Sequence, residues 1–356
     1  MKNSNRRMPA EWENPTGILM AWPTEETDWA YIIDEARRQF ASLIAAITSA
    51  HVQVILLCRG GEKEFDESCP ADLIRNIDRE YLNFASSITY NDTWTRDYGP
   101  ITVETADGTK ELDFCFNGWG LKFAADKDNL VAKEMAHRRD PELKHYENHR
   151  SFILEGGSVE SDGKGTILTT RHCLLSPNRN GGMDCGEIEE NLRKHLGADR
   201  ILMLDYGFLE GDDTDSHIDT LARFAPDDTI IYMGPPEDKD DIHFVELSAM
   251  KEQIQRLRTA EGNPYKLIEL PFPDPIYDAE GNRLPATYAN YLATGNDVFV
   301  PLYSQPGHDC RALDCIGKAF PHSVIVGVEC TTLLKQHGSL HCSTMQLYQS
   351  PKTLKP

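Results

Sequence analysis

The sequence predicts an α/β fold in a single domain that spans residues 1–356, and three observations support this prediction. Short apolar segments that read as strands alternate with segments of helical periodicity throughout the chain. The composition is that of a globular protein, with 40% apolar, 26% charged and 9% aromatic residues. No low-complexity linker marks a domain boundary, and no repeat of fixed length is visible. The alternation alone favours a doubly wound sheet, although hairpin-like turns follow many strands.

The N-terminal half begins with an irregular segment at residues 11–26, which contains two tryptophans and two prolines. A helix is predicted at 27–49, because its apolar residues recur at spacings of three and four and acidic residues lie near its start. A buried strand at 52–57 and a helix at 71–82 continue the alternation. The other elements predicted in this half are strands beginning at residues 101, 112 and 151 and a helix at 129–138.

The C-terminal half follows the same alternation of short strands and helices. The predicted strands are 166–170, 201–204, 217–224, 229–233, 266–270, 297–301 and 323–328. The predicted helices are 186–196, 243–258 and 309–319. Four prolines between residues 271 and 285 mark one long loop in this half.

The chain is strongly acidic, with a net charge of −21 and a pI near 4.9. Such a chain repels nucleic acid and anionic membrane surfaces, so neither is expected as a partner, and it attracts cations. Solubility alone explains the charge equally well. Nine dispersed cysteines without a Cys-x-x-Cys pair argue against a disulfide framework and a zinc ribbon. No apolar segment follows the basic N-terminus, so we expect a cytoplasmic protein in a reducing compartment.

Two aromatic turns carry side chains that suit the wall of a cation site. Trp94 and Asp97 lie together in the turn at residues 91–100, and a tryptophan face beside carboxylates suits a planar cation. A surface turn with a local ion pair is the alternative interpretation of that segment. Asn117 and Trp119 lie in a glycine-rich turn after the strand that begins at residue 112, and they add a second candidate wall.

Two further segments supply carboxylates and a histidine. Glu155 precedes two glycines at a strand end, where backbone can approach closely, although a hairpin turn explains the same pattern. His217 and Asp219 are two residues apart in a predicted strand, so their side chains are expected on one face. A metal site is the alternative for the acidic stretch at 212–219. Its spacing matches no calcium loop, and no second histidine-rich cluster completes a zinc set.

Cys342 lies between His341 and two hydroxyl residues near the end of the chain, and we interpret it as a catalytic nucleophile. A buried, inert core cysteine is the alternative. A thiol, an imidazole and three carboxylates together suggest cleavage of a C–N bond in a guanidine, because paired carboxylates bind a guanidinium and a thiolate attacks its electron-poor carbon. The chain has no nucleotide-binding glycine motif and no Gly-x-Ser-x-Gly elbow.

Five ordered motifs carry a resemblance to a known family, and the match runs from about Trp12 to Gln346. These motifs are Trp94-Thr-Arg-Asp-Tyr-Gly-Pro, Glu155-Gly-Gly, the segment 212–224, Tyr288-Ala-Asn-Tyr and His341-Cys-Ser-Thr-Met-Gln. They are similar to those of the agmatine deiminase family, which includes the bacterial peptidyl-arginine deiminases and belongs to the guanidino-modifying superfamily. The resemblance implies a five-bladed α/β-propeller, the pentein fold, built from ββαβ-type units around a pseudo-fivefold axis.

The resemblance also implies a role for each candidate residue. Cys342 matches the nucleophile, and His217 matches the acid and base that protonates ammonia and then activates water. Asp97 and Asp219 match the carboxylates that hold the guanidinium, and Glu155 matches the one that orients the substrate or His217. The residues matched to substrate binding, besides Asp97 and Asp219, are Trp94, Asn117, Trp119 and Asn290. The expected product is N-carbamoylputrescine, with no cofactor and no metal.

Two segments depart from the family pattern, and they concern substrate identity. Gln336–Leu340 replaces a glycine run before the nucleophile, and Leu121 with Lys122 follows the turn at Trp119. Agmatine is the expected substrate, and peptidyl or free arginine is the alternative. An arginine substrate carries a carboxylate or peptide end, for which residues 91–123 offer a single arginine, Arg96. A small cationic guanidine is therefore the expected partner, and the sequence leaves a homodimer open.

Overall fold

Five small mixed β-sheets organise the chain, instead of the single doubly wound sheet that the alternation favours. The structure is a computed structural model, and it describes residues 6–348. Two of the sheets have four strands and three have three strands within this range. The chain is thus a mixed α/β protein. Within residues 6–348, no helix combines the length and the apolar character needed to cross a membrane.

The strands of the described residues alternate with helices along most of the chain. The strands are β1 (Arg6–Arg7), β2 (Gly17–Ala21), β3 (Val54–Leu57), β4 (Leu82–Ala85), β5 (Ile101–Thr105), β6 (Gly108–Cys115), β7 (Tyr146–Ile153), β8 (Val159–Ser161), β9 (Thr166–Thr170), β10 (Arg200–Leu204), β11 (Ala222–Ala225), β12 (Thr229–Met233), β13 (Lys266–Leu270), β14 (Leu292–Ala293), β15 (Asp297–Leu302), β16 (Val324–Glu329) and β17 (Met345–Leu347). The helices are α1 (Ile33–Ser49), α2 (Gly61–Ser68), α3 (Thr95–Tyr98), α4 (Gly118–Leu121), α5 (Asp128–Arg139), α6 (Arg171–Leu174), α7 (Cys185–Leu196), α8 (Phe244–Arg256), α9 (Pro306–Ala319) and α10 (Thr331–Leu334). Single 3₁₀ turns occupy Asp28–Ile32, Ile74–Asn76, Arg79–Tyr81, Gly156–Ser158 and Ile218–Thr220.

The five sheets share one strand order. In each of four sheets, an antiparallel pair is followed by a helix and by a third strand that lies parallel to the second. The triplets are β5-β6-β7, β8-β9-β10, β11-β12-β13 and β14-β15-β16, with α5, α7, α8 and α9 as their crossover helices. The fifth sheet joins the two ends of the chain, because β17 pairs antiparallel with β2 and β3 lies parallel to β2 after α1.

Local sequence accounts for these elements. Helix α1 buries Phe40, Leu43 and Ile47 on one face, and each such side chain contributes about 1.5–3 kcal/mol when fully buried. Helix α7 begins with a capping box, in which the Asp184 and Glu187 side chains each accept from the other residue's backbone N–H. It ends at Gly197, whose φ of 74° is the left-handed conformation that stops a helix.

The centre of the molecule contains a buried network of charges. Arg223 is fully buried and donates to Glu160 over 2.6 Å, to Glu11 and to two backbone carbonyls. Arg96 donates to Glu11 over 2.9 Å and to the side chain of Gln346. Burial alone would raise the pKa of Glu11, but the charges of Arg223 and Arg96 keep its pKa well below the usual value. The network ties residues near both chain ends to the middle of the sequence.

Several predicted elements are confirmed, and others are wrong. Strands 166–170, 229–233 and 266–270 match β9, β12 and β13 residue for residue. The predicted helix at 71–82 is wrong, because that segment forms two 3₁₀ turns and the start of β4. The segment at 11–26 is not irregular throughout, since it contains β2. All five residues of β2 are buried, so the strand lacks the alternation that marks a half-exposed strand.

Candidate active site

The same position in each sheet supplies one candidate residue. In the strand order that the five sheets share, β5, β8, β11, β14 and β17 occupy the first position, and β1 adds an edge strand beside β5. The residues found within a few positions before these five strands are Asp97, Glu155, Asp219, Asn290 and Cys342. The repeated strand order therefore places one chemically distinctive side chain per sheet at an equivalent point. Hydrogen bonds link Cys342, Asn290 and Asp219. Glu155 bonds to His217, which lies 3.6 Å from Asp97, and the two groups meet around Gly157 as one cluster.

A cavity of about 200 Å³ opens onto this cluster. Its base includes Cys342 and Asp97, and two tryptophans form part of its wall. The lining residues are Asp28, Asp92, Trp94, Asp97, Trp119, Phe123, Asp213, Thr214, Lys335, Gln336, His337, Gly338 and Cys342. Cys342 is 8% exposed, so its thiol is the part of the cluster that can meet a molecule in the cavity.

Cys342 is held in the loop between α10 and β17 by its own backbone and by Asn290. Its N–H and its Sγ both approach Oδ1 of Asn290, over 3.3 Å and 3.4 Å, and its carbonyl accepts from the N–H of Arg96 over 3.2 Å. Burial raises the pKa of the Cys342 thiol well above its usual value, and the carboxylates of Asp219 and Asp97 raise it further. In the unliganded site, the sulfur is therefore a protonated thiol.

Asp97 lies in the one-turn helix α3, and both of its carboxylate oxygens are occupied. The backbone N–H of Gly157 donates to Oδ1 over 3.0 Å, and Nε1 of Trp119 donates to Oδ2 over 2.9 Å. Burial raises the pKa of Asp97 to about 6; His217 opposes this rise, and the charges of Asp219 and Glu155 add to it. The surroundings of Asp97 thus disfavour its ionised form, and a cation bound in the cavity would favour that form and lower the pKa.

Asp219 has one occupied and one free oxygen. Its Oδ2 lies 2.7 Å from Nδ1 of His341 and accepts from Nδ2 of Asn290 over 3.1 Å. Its Oδ1 is buried and has no hydrogen-bond partner among the residues that the structure describes. Burial would raise the pKa of Asp219, but the hydrogen bond and charge of His341 lower it. A buried, unpartnered carboxylate oxygen is costly, and a ligand N–H donor would satisfy it.

His217 lies between two carboxylates. Its Nε2 is 3.1 Å from Oε2 of Glu155, and its Nδ1 is 3.6 Å from Oδ1 of Asp97. Burial would lower the pKa of His217, but Asp97 and the other anionic neighbours raise it well above the usual value. The imidazole therefore carries a proton in the unliganded site, and one nitrogen faces the side of the cluster that contains Asp97.

The predicted reason for pairing His217 with Asp219 is wrong. Both residues precede β11, at the start of the 3₁₀ turn Ile218–Thr220, and neither lies in a strand. They nevertheless converge around Gly157, where a Cβ atom would lie 2.6 Å from Nδ1 of His217 and 3.1 Å from Oδ2 of Asp219. A tight 3₁₀ turn therefore brings the two side chains together, and the alternation of a strand does not.

Glu155 has a partner that the sequence did not reveal. Nε of Arg179 donates to both carboxylate oxygens, over 3.1 Å and 2.8 Å. Burial would raise the pKa of Glu155, but the hydrogen bond from His217 and the charge of Arg179 lower it. Arg179 lies in a loop rich in asparagine and glycine, where an arginine ordinarily points to solvent. Only its burial in the folded chain identifies it as a functional candidate.

The metal alternative also has a structural counterpart, although it is not the predicted one. Glu155, Cys173 and His217 place ligand atoms within 4.8 Å of one another, whereas the acidic stretch at 212–219 does not form a metal cluster among the described residues. In the Glu155 group, the guanidinium of Arg179 already contacts both carboxylate oxygens. A fixed positive charge at that point opposes a second cation.

The predicted substrate-binding residues divide into two groups. Trp94 and Trp119 line the cavity, and the ring of Trp94 packs so closely on Gly338 that a Cβ atom there would overlap it. Asp97 also lines the cavity, whereas Asn117, Asn290 and Asp219 do not. Asn117 instead accepts from the N–H of Gly120 over 3.0 Å and donates to the carbonyl of Asn178, so it shapes the turn that carries Trp119.

The charges around the cavity are mostly acidic. Asp28, Asp92 and Asp213 line it, together with Lys335 and His337. Lys335 is paired with Glu35 over 2.5 Å, and His337 lies 3.7 Å from Asp213. Arg96, the arginine considered as a receptor for a substrate carboxylate, is buried against Glu11 and does not line the cavity.

Comparisons with known proteins agree with this geometry. The family model described as Porphyromonas-type peptidyl-arginine deiminase matches residues 7–347. A curated relative from Legionella pneumophila, named "Putative agmatine deiminase", is 30% identical over 351 residues, covering 98% of this chain and 96% of the relative. A solved structure described as "a putative peptidyl-arginine deiminase" is 43% identical with a TM-score of 0.89, covering 97% of this chain and 99% of that chain.

A second solved structure is a cysteine-to-serine variant of the C. jejuni agmatine deiminase with substrate bound. It is 34% identical with a TM-score of 0.86, and the match covers 97% of this chain and 96% of that chain. Both the sequence and the fold are therefore shared over nearly the full length. The chain belongs to the Porphyromonas-type peptidyl-arginine deiminase family.

Proposed function

We propose that the protein is a cysteine-dependent deiminase that hydrolyses the guanidinium group of agmatine to N-carbamoylputrescine and ammonia. One observation carries this proposal: the Cys342 thiol lies at the base of an acidic cavity beside Asp97 and beside Asp219, whose buried Oδ1 lacks a partner among the described residues. Relatives named agmatine deiminases, one of them solved with substrate as a cysteine-to-serine variant, support the same chemistry.

The two aspartates bind the substrate in this mechanism. A guanidinium offers up to five N–H donors in one plane, and Oδ1 of Asp219 is free to accept one of them. Asp97 contributes charge and accepts a further donor beside its bonds from Gly157 and Trp119. Because these carboxylates raise the pKa of Cys342, a bound cation that offsets them lowers it. Substrate binding and activation of the nucleophile are thereby coupled.

The first chemical step forms a covalent intermediate. Binding of the guanidinium releases the Cys342 proton to solvent, and the resulting thiolate adds to the guanidinium carbon and gives a neutral tetrahedral adduct. The imidazolium of His217 protonates one terminal nitrogen, the C–N bond breaks, and ammonia leaves. The product is an S-alkylthiouronium cation on Cys342, and His217 is left neutral. Asp97 and Asp219 stabilise the guanidinium cation before this step and the thiouronium cation after it.

The second step reverses the role of His217. The neutral imidazole takes a proton from water, and the resulting hydroxide adds to the thiouronium carbon. Collapse of this adduct breaks the C–S bond, returns the Cys342 thiolate and releases the carbamoyl product. The remaining hydroxyl proton passes to solvent, where the ammonia released earlier takes up one proton. Glu155 holds Nε2 of the imidazole throughout, so that Nδ1 stays on the side facing Asp97.

The acidic lining of the cavity supports agmatine over arginine. The far end of agmatine is an ammonium group, which suits the carboxyl groups of Asp28, Asp92 and Asp213, whereas an arginine carboxylate would lie among the same three acidic side chains. Peptidyl or free arginine is the second candidate, because the matching family model is described as a peptidyl-arginine deiminase and Lys335 and His337 also line the cavity.

We further propose a five-bladed pseudo-fivefold α/β-propeller, with residues 1–356 as one cytoplasmic domain. Five sheets of the same strand order, each preceded by one candidate site residue, support this arrangement. Residues from all five sheets can meet at one point if the sheets surround a common axis.

Ammonia release tests the proposed activity. Agmatine, free arginine and a peptide with a C-terminal arginine are each supplied to the parent and to Cys342→Ala, with circular dichroism to check folding. We expect turnover of agmatine by the parent only, unaffected by a chelator. Equal or faster turnover of an arginine substrate would favour the second candidate. Activity retained in Cys342→Ala, or lost on chelation, would exclude the cysteine mechanism.

A further inference from the structure

Arg179 is a buried cation that contacts two different parts of the site. Its side chain is 0% exposed and donates to both oxygens of Glu155, which in turn holds His217. Its other nitrogens reach the loop just before His217: Nη1 donates to Oδ2 of Asp215 over 2.6 Å, and Nη2 donates to the carbonyl of Thr214 over 2.8 Å. A planar guanidinium with several donors can make these bonds at once, whereas an ammonium cannot.

The loop that Arg179 contacts has a strained backbone. Asp215 and Ser216, the two residues before His217, have φ values of 63° and 66°. The left-handed region is unfavourable for most non-glycine residues, and it persists where neighbouring contacts enforce it. Those contacts are the bonds from Arg179 and the Asp212 carboxylate, which accepts from the N–H of Ser216 over 2.7 Å. The direction in which the chain enters His217 therefore depends on Arg179.

Lys122 contacts the same loop from the rim of the cavity. Its Nζ donates to Oδ1 of Asp215 over 2.7 Å and to the carbonyl of Asp213 over 2.6 Å. It directly follows the turn that carries Trp119, the donor to Asp97. Opposite charges thus alternate from Lys122 through Asp215 and Arg179 to Glu155 and the His217 imidazolium. Lys122, at which the sequence departs from the family pattern, therefore connects the rim of the cavity to His217 through this series of ion pairs.

We propose that Arg179 is a positioning residue for His217. Its bonds to Glu155 and to the loop at 213–216 hold the imidazole in place, and we call this arrangement the clamp. Lys122 extends the clamp to the rim of the cavity. The inference rests on the proposed deiminase function. Arg179 touches neither the cavity nor Cys342 among the contacts of the described residues, so it acts only through Glu155 and the loop at 213–216. His217 transfers protons and does not bind the guanidinium, so loss of the clamp lowers kcat and leaves KM nearly unchanged.

The first experiment compares Arg179→Gln with Arg179→Lys. Turnover is divided by the number of Cys342 thiols that 2-chloroacetamidine alkylates, counted by mass spectrometry, so that misfolded protein does not count as lost catalysis. We expect kcat per labelled site to fall about 100-fold in Arg179→Gln, with KM within about threefold, since a displacement of about 1 Å costs that much. Arg179→Lys keeps the charge and loses the fork, and its loss is intermediate.

The pH profile separates positioning from a structural defect. Removing a nearby cation raises the pKa of His217 and of Glu155. In Arg179→Gln, the midpoint of the alkaline limb of the kcat profile therefore moves to higher pH. In Arg179→Lys the positive charge remains, so the midpoint stays in place. A smaller folded fraction lowers the curve without moving its midpoint. Arg139→Lys is the matched control, because Arg139 forms a part-buried pair with Glu111 outside the cavity. We expect parental kinetics from that control.

Lys122→Met tests the outer part of the clamp on a residue that is 35% exposed, where folding is not at risk. In Lys122→Met, we expect kcat per labelled site to fall about threefold to tenfold with no rise in KM. In Lys122→Arg, which keeps the charge, we expect values close to those of the parent. The control Lys164→Met removes the pair with Asp228, and we expect it to leave kcat and KM unchanged. If Arg179→Gln does not fold, this comparison decides the proposal. Parental kcat and pH midpoints in the Arg179 variants, or in Lys122→Met, would overturn it.

The outcome for the clamp can be told apart from the outcome for the deiminase. A parent protein that releases ammonia from no guanidine contradicts the proposed function only. The clamp is then judged by NMR titration of the His217 ring in the parent and in Arg179→Gln. An unchanged ring pKa counts against the clamp, and a rise supports it.

Discussion

Oδ1 of Asn290 accepts from both the backbone N–H and the thiol of Cys342, over 3.3 Å and 3.4 Å. The same oxygen accepts from the N–H of His341 over 2.9 Å, and the Asn290 amide nitrogen donates to Asp219. One asparagine therefore contacts both Cys342 and the carboxylate of Asp219 and fixes the position of one relative to the other. Asn290 acts from behind the cavity wall, although the resemblance places it among the residues that bind substrate.

The two buried thiols near the cluster are expected to differ sharply. Cys342→Ala should abolish ammonia release from agmatine, at least about 10⁴-fold, because it removes the nucleophile. Cys173→Ala should retain activity within about tenfold, since Cys173 contacts Glu155 over 3.9 Å and does not line the cavity. Both variants are compared by ammonia release and by mass spectrometry of the trapped thiouronium. Activity that follows Cys173 would move the nucleophile to that residue.

The pKa of the Cys342 thiol should fall when one carboxylate is removed. Burial and the charges of Asp219 and Asp97 raise this pKa, so Asp219→Asn should lower it even as it weakens guanidine binding. The measurement is the rate of alkylation of the Cys342 peptide by iodoacetamide as a function of pH. Cys58 is an internal control, because burial and Glu64 raise its pKa to about 12 without help from Asp219. A thiol pKa that rises in Asp219→Asn would contradict this electrostatic account.

Gly157 is expected to tolerate no side chain. A Cβ atom at this position would lie 2.6 Å from Nδ1 of His217 and 2.8 Å from Oδ1 of Asp97, closer than real Cβ atoms come. Gly157→Ala should therefore push these groups apart and lower kcat/KM about 100-fold or more in a folded protein. Gly307→Ala, in the first turn of α9, is the control, because its Cβ meets open space. Equal kinetics in the two variants would show that the cluster adapts.

Asp128 should make the protein less stable as the pH rises. Burial and the neighbouring Asp92 raise the pKa of Asp128 to about 8, well above the value near 3.8 in an unfolded chain. The folded state then binds the proton more tightly, so stability is lost as the pH rises from about 4 to about 8. Asp128→Asn should remove this loss, while its oxygen still accepts from the N–H of Asn91.

The measurement for Asp128 is the melting temperature of parent and variant between about pH 5.5 and pH 9. The advantage of Asp128→Asn should grow with pH and level off above about pH 8. Asp107→Asn, in the exposed turn between β5 and β6, is the control and should show a constant difference. An advantage that shrinks as the pH rises has the wrong sign for a buried carboxyl and would refute the explanation.

The sequence was sufficient to identify the candidate catalytic side chains. The structure brings the five predicted residues close together, namely Cys342, His217, Asp97, Asp219 and Glu155. Their geometry could not be found in the same way. His217 and Asp219 meet through a 3₁₀ turn with a left-handed approach, and hydrophobic periodicity carries no signal for such a turn. Strands β12 and β13 were predictable because apolar, β-branched runs bounded by turns describe them fully.

The supporting charges escaped prediction for another reason. Arg179 bonds to Glu155 from 24 positions away in sequence, and Glu11 bonds to Arg223 from 212 positions away. Side chains such as these are mostly exposed in proteins, so their residue type alone predicts solvent contact. Only the fold brings their partners within reach. The local pattern also hid the five sheets, which only the family resemblance implied, because strands within one sheet and strands in separate sheets give the same pattern.

The pairing of β17 with β2 joins Met345 to Leu19, residues more than three hundred positions apart. Closing a loop of that length is slow, so this pairing should form late in folding. Cys342 lies three residues before Met345, and the strand that completes the sheet also delivers the thiol. In a refolding experiment, helical circular dichroism should therefore recover before the enzyme activity does. The delay between the two signals would measure how long the pairing of β17 with β2 takes to form after the helices have formed.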